Sequence, residues 1–86
     1  MSITHSVTTT IDRMNYEDRA KAYEYLTQQL CNLVKDSPEP LETKEVMKKL
    51  VRTEKICWGD ARYVMTYARA NTRVQVDSHT LIVTLP

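Results

Sequence analysis

The sequence contains no phenylalanine and one tryptophan, so these two residue types supply little of its core. Leucine, valine, methionine and tyrosine must fill the interior instead, and a chain of 86 residues buries only a modest core. A single glycine also excludes the glycine-rich loops that cradle phosphate groups. We expect one domain in which helices dominate over strands.

The sequence also lacks a long apolar run and a cysteine motif. No stretch has the length of a membrane span or of a signal-peptide core, so we predict a cytoplasmic protein without membrane contact. Cys31 and Cys57 follow no metal-binding spacing and are expected to be reduced, and His5 and His79 add no ligand pattern. We therefore predict no metal and no cofactor. Arrangements of catalytic residues are lacking as well, so the protein is predicted not to be an enzyme.

The charge of the chain is small but unevenly distributed. The net charge of +1 provides no general attraction to nucleic acid. Residues 1–40 carry four basic and six acidic side chains (net −2), whereas residues 41–86 carry eight basic and five acidic ones (net +3). This asymmetry favours an anionic partner for the C-terminal half.

Two patterns precede a break at Pro38 and Pro40. In residues 2–10 two rows of side chains alternate along the sequence, and many of these side chains are β-branched. This pattern predicts a strand that pairs with the C-terminal hairpin. A disordered, threonine-rich tail is the alternative. Residues 16–35 place apolar side chains along one helical stripe, which predicts a helix of about 20 residues, or about 30 Å, that underlies the fold.

Two shorter helices are predicted at residues 43–55 and 60–70, where apolar side chains recur at three- and four-residue spacing. Thr43 and Asp60 are expected to cap their N-termini. Gly59 is expected to adopt a positive φ in the turn between them.

Asn71 is expected to end the last helix in a left-handed conformation. Side chains then alternate over residues 73–85, which predicts a hairpin whose buried face includes Leu81 and Leu85. Trp58 is expected to fill the core beneath the loop before the last helix. The residues predicted to share one core are Val46, Leu50, Val64, Met65, Ala68, Val74 and Val83.

This order of elements resembles the winged helix-turn-helix superfamily over about half of the chain. The resemblance implies an α+β, helix-dominated fold in the order strand–helix–helix–helix–hairpin, with a small antiparallel sheet. Members mostly bind DNA, with the second helix of the pair in the major groove and the hairpin as a wing. Some members serve as protein-interaction modules instead. The sequence departs from the pattern in a connection at residues 52–59 that is predicted to be long, and in a wing tip that carries Asp77 without a lysine or arginine.

Basic and polar side chains on the two short helices form the candidate DNA-binding surface. Arginine can donate a bidentate pair of hydrogen bonds to guanine, and threonine and tyrosine can reach bases or phosphates. Lysine can bind the phosphates of the DNA backbone. The residues predicted to contact nucleic acid are Lys48, Lys49, Arg52, Arg62, Tyr63, Thr66, Arg69 and Arg73. The alternative is that these side chains only form a solvated surface.

We predict that the protein is a small regulator of transcription whose partner is double-stranded DNA. The alternative is a protein-interaction module on the same fold, such as a small inhibitor or adaptor of phage or mobile-element type. For the DNA function we predict a homodimer, since one small module supplies little specificity. In a symmetric dimer seam, residues of the long helix would contact the same residues of the second copy. The residues predicted for this seam are Tyr23, Leu26, Leu30 and Leu33.

Overall fold

The structure, a computed structural model, describes residues 16–86, which form three helices and three short strands. In chain order these are α1 (Tyr16–Asp36), β1 (Leu41–Glu42), α2 (Thr43–Glu54), α3 (Trp58–Ala70), β2 (Gln75–Val76) and β3 (Ile82–Thr84). The predicted helix-dominated α+β class is confirmed. The order of the elements is compatible with that of a winged helix.

The strands form one antiparallel sheet in the order β1–β3–β2. Val83 in β3 pairs with Leu41 on one side and with Val76 on the other. The strand predicted at residues 2–10 as the partner of the hairpin lies outside the described residues, and β1 occupies that side of β3. Sequence periodicity cannot identify β1, because two residues are too few to establish an alternation.

The long helix α1 supports the fold by packing against both α2 and α3. Its buried side chains are Leu26, Thr27 and Leu30. Ala20, which the sequence places on the apolar stripe, is exposed. The face that α1 buries therefore includes Leu26, at the edge of the predicted stripe, and leaves out Ala20 on its other side.

The seven residues predicted to share one core are all buried, and together these side chains join the helices to the sheet. Leu50 on α2 and Val64 on α3 have no exposed surface at all. Burying a large aliphatic side chain contributes about 1.5–3 kcal/mol, so this cluster dominates the stabilisation of the fold. The residues confirmed in the core are Val46, Leu50, Val64, Met65, Ala68, Val74 and Val83.

A capping box between Glu42 and Glu45 closes the N-terminus of α2. The Glu45 Oε1 atom accepts a hydrogen bond from the Glu42 backbone N–H at 3.0 Å. Thr43 is therefore the first residue of α2 and not its cap, contrary to the prediction. Its backbone N–H and its hydroxyl both donate to the carbonyl of Leu81, at 2.9 and 3.0 Å, and so tie the start of α2 to the wing.

Residues 55–57 connect α2 to α3, so the prediction of a long connection is wrong. The left-handed residue of this connection is Lys55, with a φ of 56°. Gly59 lies in the first turn of α3 and its φ is not positive, which overturns its predicted role in the turn. Cys57 replaces Asp60 as the N-cap, since the Cys57 Sγ atom accepts from the Asp60 N–H at 3.4 Å.

The C-terminus of α3 forms a Schellman motif. The N–H of Arg73 donates to the Ala68 carbonyl at 2.8 Å, and the N–H of Thr72 donates to the Arg69 carbonyl at 3.1 Å. Asn71 ends the helix as predicted, but its φ is −98°. The left-handed position falls on the next residue, Thr72, whose φ is 54°.

The wing turn, residues 77–81, interrupts the predicted alternation. Leu81 adopts a φ of 61°, which turns its side chain out of the buried row. Leu81 is 49% exposed and Leu85 is 38% exposed, so their predicted burial is wrong. Of Leu81, Val83 and Leu85, only Val83 is buried in the core.

Candidate nucleic-acid interface

The helix α3 buries one face and leaves the other open. The four residues of α3 predicted to contact nucleic acid are all exposed and are named here the outer face: Arg62, Tyr63, Thr66 and Arg69. Arg62, Thr66 and Arg69 follow the i, i+4, i+7 spacing that forms one row along a helix. Tyr63 stands beside this row and is 64% exposed. The fold therefore brings all four predicted side chains onto one surface.

The charge of the outer face depends on the placement of Asp60, the one acidic residue in α3. Asp60 is only 4% exposed and lies in the first turn, where a carboxylate interacts favourably with the helix dipole. Burial of this carboxylate leaves Arg62 and Arg69 on the outer face with no acidic side chain from the same helix. The exposed side of α3 is therefore positively charged.

A shallow depression of about 290 Å³ lies on the outer face, and its lining includes Gly59, Arg62, Tyr63 and Thr66. Gly59 has no side chain, so the main chain of the first turn is accessible there. A guanidinium, a phenol and a hydroxyl surround this accessible main chain. All three can donate hydrogen bonds to an oxygen-rich partner.

The three basic residues predicted on α2 do not share one environment. Lys48 and Arg52 are exposed and four residues apart, so they lie on the same side of the helix. Lys49 is also exposed, but it lines a groove between α1 and α2 together with Asp36 and Glu54. The structure therefore separates Lys49 from the other two and places it near two carboxylates.

Arg73, predicted to contact DNA from the wing, points back to α1. Its Nη1 atom forms an ion pair with the Glu24 Oε1 atom, and its Nη2 atom donates to the Gln28 Oε1 atom at 3.1 Å. The hydrogen bond with Glu24 raises the pKa of Arg73. The guanidinium therefore already has two partners on α1, and its contact with nucleic acid stays a prediction.

The Glu24 carboxylate also forms a hydrogen bond with α3. The Tyr67 hydroxyl donates to the Glu24 Oε2 atom at 2.9 Å, and the Tyr67 ring stacks on Tyr23 with the centroids 5.8 Å apart. The bonds from Arg73 and then Tyr67 lower the pKa of Glu24. Sequence inspection misses this cluster, because Glu24 lies 43 and 49 residues from its two partners.

The wing tip carries one acidic side chain that folds onto its own turn. The Asp77 Oδ1 atom accepts from the backbone N–H groups of His79 and Thr80, at 2.8 and 2.9 Å. These bonds, the one from Thr80 first, lower the pKa of Asp77 and keep it negatively charged. The tip therefore offers a carboxylate, and no lysine or arginine, to an approaching partner.

The residues predicted for a dimer seam are divided between the core and the surface. Leu26 and Leu30 are 5% and 0% exposed and pack inside their own chain. Tyr23 and Leu33 are half-buried against the same core. The two central leucines are thus unavailable to a second copy, and a homodimer on any other surface stays a prediction.

Trp58, predicted to lie in the core, is 41% exposed at the start of α3. The error follows from the start of α3, which lies two residues earlier than predicted. Cys31 and Cys57 are free and half-buried, and burial raises the pKa of the Cys31 thiol. Within residues 16–86, no group of histidine, cysteine or acidic side chains could hold a metal ion.

None of the helices in the described part of the chain has both the length and the apolar character needed to cross a membrane. Comparisons of the chain with protein-family models, with curated proteins and with solved structures found no match.

Proposed function

We propose that this protein is a small DNA-binding regulator of transcription that adopts a winged-helix fold and places α3 in the major groove. The observation that carries the proposal is the outer face of α3, where Arg62, Thr66 and Arg69 form one exposed row. The only carboxylate of the helix, Asp60, is buried away from that row. The groove of B-DNA admits one helix, and arginine is the side chain that most often reads guanine there.

The helix α2 supplies the contacts that position the protein on the duplex. Lys48 and Arg52 are exposed on one side of α2, and phosphate contacts of this kind fix register without reading sequence. Arg73 has a different role in this proposal from the predicted one. Through Glu24 it holds the end of α3 and the start of the wing against α1, and so orients the outer face.

Fluorescence anisotropy with a labelled duplex of mixed sequence tests the proposal. We expect saturable binding at about 50 mM salt that weakens steeply as salt is raised, because bound phosphates release counterions. Arg62→Ala should reduce the affinity. The matched control is Lys35→Ala, which removes the same charge from the exposed C-terminal end of α1 and should have little effect.

Two results would contradict the proposal. One is a flat titration of the unmodified protein at low salt. The other is binding that persists unchanged after both Arg62→Ala and Lys48→Ala, since DNA contact would then not involve the basic surfaces.

A protein-interaction module on the same fold is the second candidate. The observations that favour it are the exposed rings of Trp58 and Tyr63 and the acidic wing tip at Asp77. Aromatic residues are enriched where proteins bind one another, and a carboxylate at the wing disfavours contact with phosphate. In that case the outer face would contact a protein, and the duplex titration would be flat.

The proposed homodimer is tested separately by light scattering. A species of 10 kDa alone, the mass of one chain, at micromolar concentration would remove the dimer. It would leave the protein-interaction function intact.

A further inference from the structure

The single glycine of this chain occupies a position where neither its backbone angle nor its packing against residues 16–86 requires a glycine. The three left-handed residues of the described chain are Lys55, Thr72 and Leu81, and Gly59 is not among them. A Cβ atom on Gly59 would lie 3.7 Å from the Cys57 Sγ atom, an ordinary van der Waals contact. Glycine is also less favourable than alanine in a helix. The fold itself would therefore accept a larger residue at this position.

The surroundings of Gly59 indicate what its small size provides. Gly59 is exposed and lines the depression of the outer face with Arg62, Tyr63 and Thr66. Any side chain at this position would extend from the main chain into that depression. Arg62 lies one helical turn further along and carries a positive charge beside the same depression.

We infer that Gly59 is the point of closest approach between the main chain of α3 and duplex DNA. The depression receives the sugar–phosphate backbone of one strand, with the Tyr63 and Thr66 hydroxyls as hydrogen-bond donors to it, and Arg62 beside it reaches towards the bases. Charge complementarity favours this occupant, because the outer face is basic and holds no carboxylate from α3. This inference rests on the proposed DNA-binding function and adds a steric determinant to it.

Side-chain size at residue 59 tests the inference at constant net charge. Gly59→Ala should leave the protein folded and raise its thermal midpoint by about 2–8 °C, because alanine is the better helix former. The same variant should bind duplex DNA about tenfold more weakly, which corresponds to the loss of one good contact. Gly59→Leu should weaken binding further. The matched control is Ala20→Leu, which adds volume at an exposed position of α1 and should leave the affinity unchanged.

Each outcome of this experiment decides the inference. Gly59→Ala and Gly59→Leu variants that bind DNA as tightly as the unmodified protein would overturn it and leave the DNA function standing. A lower thermal midpoint in Gly59→Ala would also overturn it, because the fold would then need the glycine. If the unmodified protein binds no duplex at low salt, the proposed function fails and this inference fails with it.

Discussion

The Tyr67 hydroxyl donates a 2.9 Å hydrogen bond to the Glu24 carboxylate and thereby joins the C-terminal half of α3 to α1. The other oxygen of the same carboxylate pairs with Arg73, just before the wing strand β2. One exposed side chain therefore contacts both α3 and the segment that precedes β2. Exposed ion pairs contribute little to stability, so the effect of Glu24 on the free energy of unfolding is expected to be small.

We expect this cluster to weaken in acid. The pKa of Glu24 is lowered by its bonds from Arg73 and Tyr67, so its contribution to stability is fully present above the ordinary glutamate pKa of about 4.3. That contribution is lost as the pH falls through the lower pKa of the folded protein. Glu24→Gln should reduce the acid dependence of stability, measured by denaturant unfolding from pH 7 to pH 3.

The control for this measurement is Glu39→Gln. Glu39 is exposed and makes no ion pair with other residues of the described range. Its replacement should leave the acid dependence unchanged, and equal changes in the two variants would contradict the role given to Glu24.

Leu50→Ala should lower the free energy of unfolding by about 2–5 kcal/mol, because Leu50 is fully buried between the helices and its removal leaves a cavity. Leu85→Ala removes the same atoms from a side chain that is 38% exposed and should cost clearly less. Chemical denaturation followed by circular dichroism measures both. A loss below about 0.5 kcal/mol for Leu50→Ala would count against the core described here.

Thr72→Gly should stabilise the protein, because Thr72 occupies the left-handed position of the Schellman motif. Relief of a left-handed penalty of about 1–2 kcal/mol, less a glycine entropy cost of about 0.5–1 kcal/mol, leaves a gain of at most about 1.5 kcal/mol. The neighbouring Asn71→Gly should destabilise, since Asn71 has a negative φ and its Nδ2 atom donates to the Tyr67 carbonyl at 2.8 Å. Thermal unfolding of the pair checks the contrast, and a shared sign would refute it.

Lys48 and Lys49 should differ in DNA binding although they are neighbours with the same charge. Lys48→Ala should weaken binding to all sequences and reduce the salt slope by about 1. Lys49→Ala should have a smaller effect, because Lys49 lies beside Asp36 and Glu54 in the groove towards α1. Anisotropy titrations at several salt concentrations compare the two. Equal slopes for both variants would show that the groove does not set Lys49 apart.

The effect of Arg62→Ala on DNA binding should differ from that of Lys48→Ala. If Arg62 reads a base edge, its loss should cost about 1–3 kcal/mol of binding energy on the preferred site and relax the preference at one position. Selection of bound duplexes from a randomised pool, with and without Arg62, measures that preference. An unchanged preference would restrict Arg62 to the backbone.

The sequence by itself determined the three helices, the hairpin and the central core, because each rests on a repeating pattern within one segment. Val46 and Leu50 recur at helical spacing, and Val74 and Val83 lie in alternating runs. The burial of these four side chains therefore followed from the spacing of apolar residues alone. The exposure of Arg62 and Arg69 followed from the same periodicity.

Only the tertiary structure decided the features that depend on contacts between distant segments or on single backbone angles. The pairing of β1 with β3, the bonds of Glu24 to Tyr67 and Arg73, and the burial of Leu26 and Leu30 in their own chain are contacts without a local signal. Among residues 16–86 the left-handed angles belong to Lys55, Thr72 and Leu81, and none to the glycine. Local propensity favours glycine at such angles, but surrounding hydrogen bonds and packing impose them on other residues when the fold as a whole is more stable.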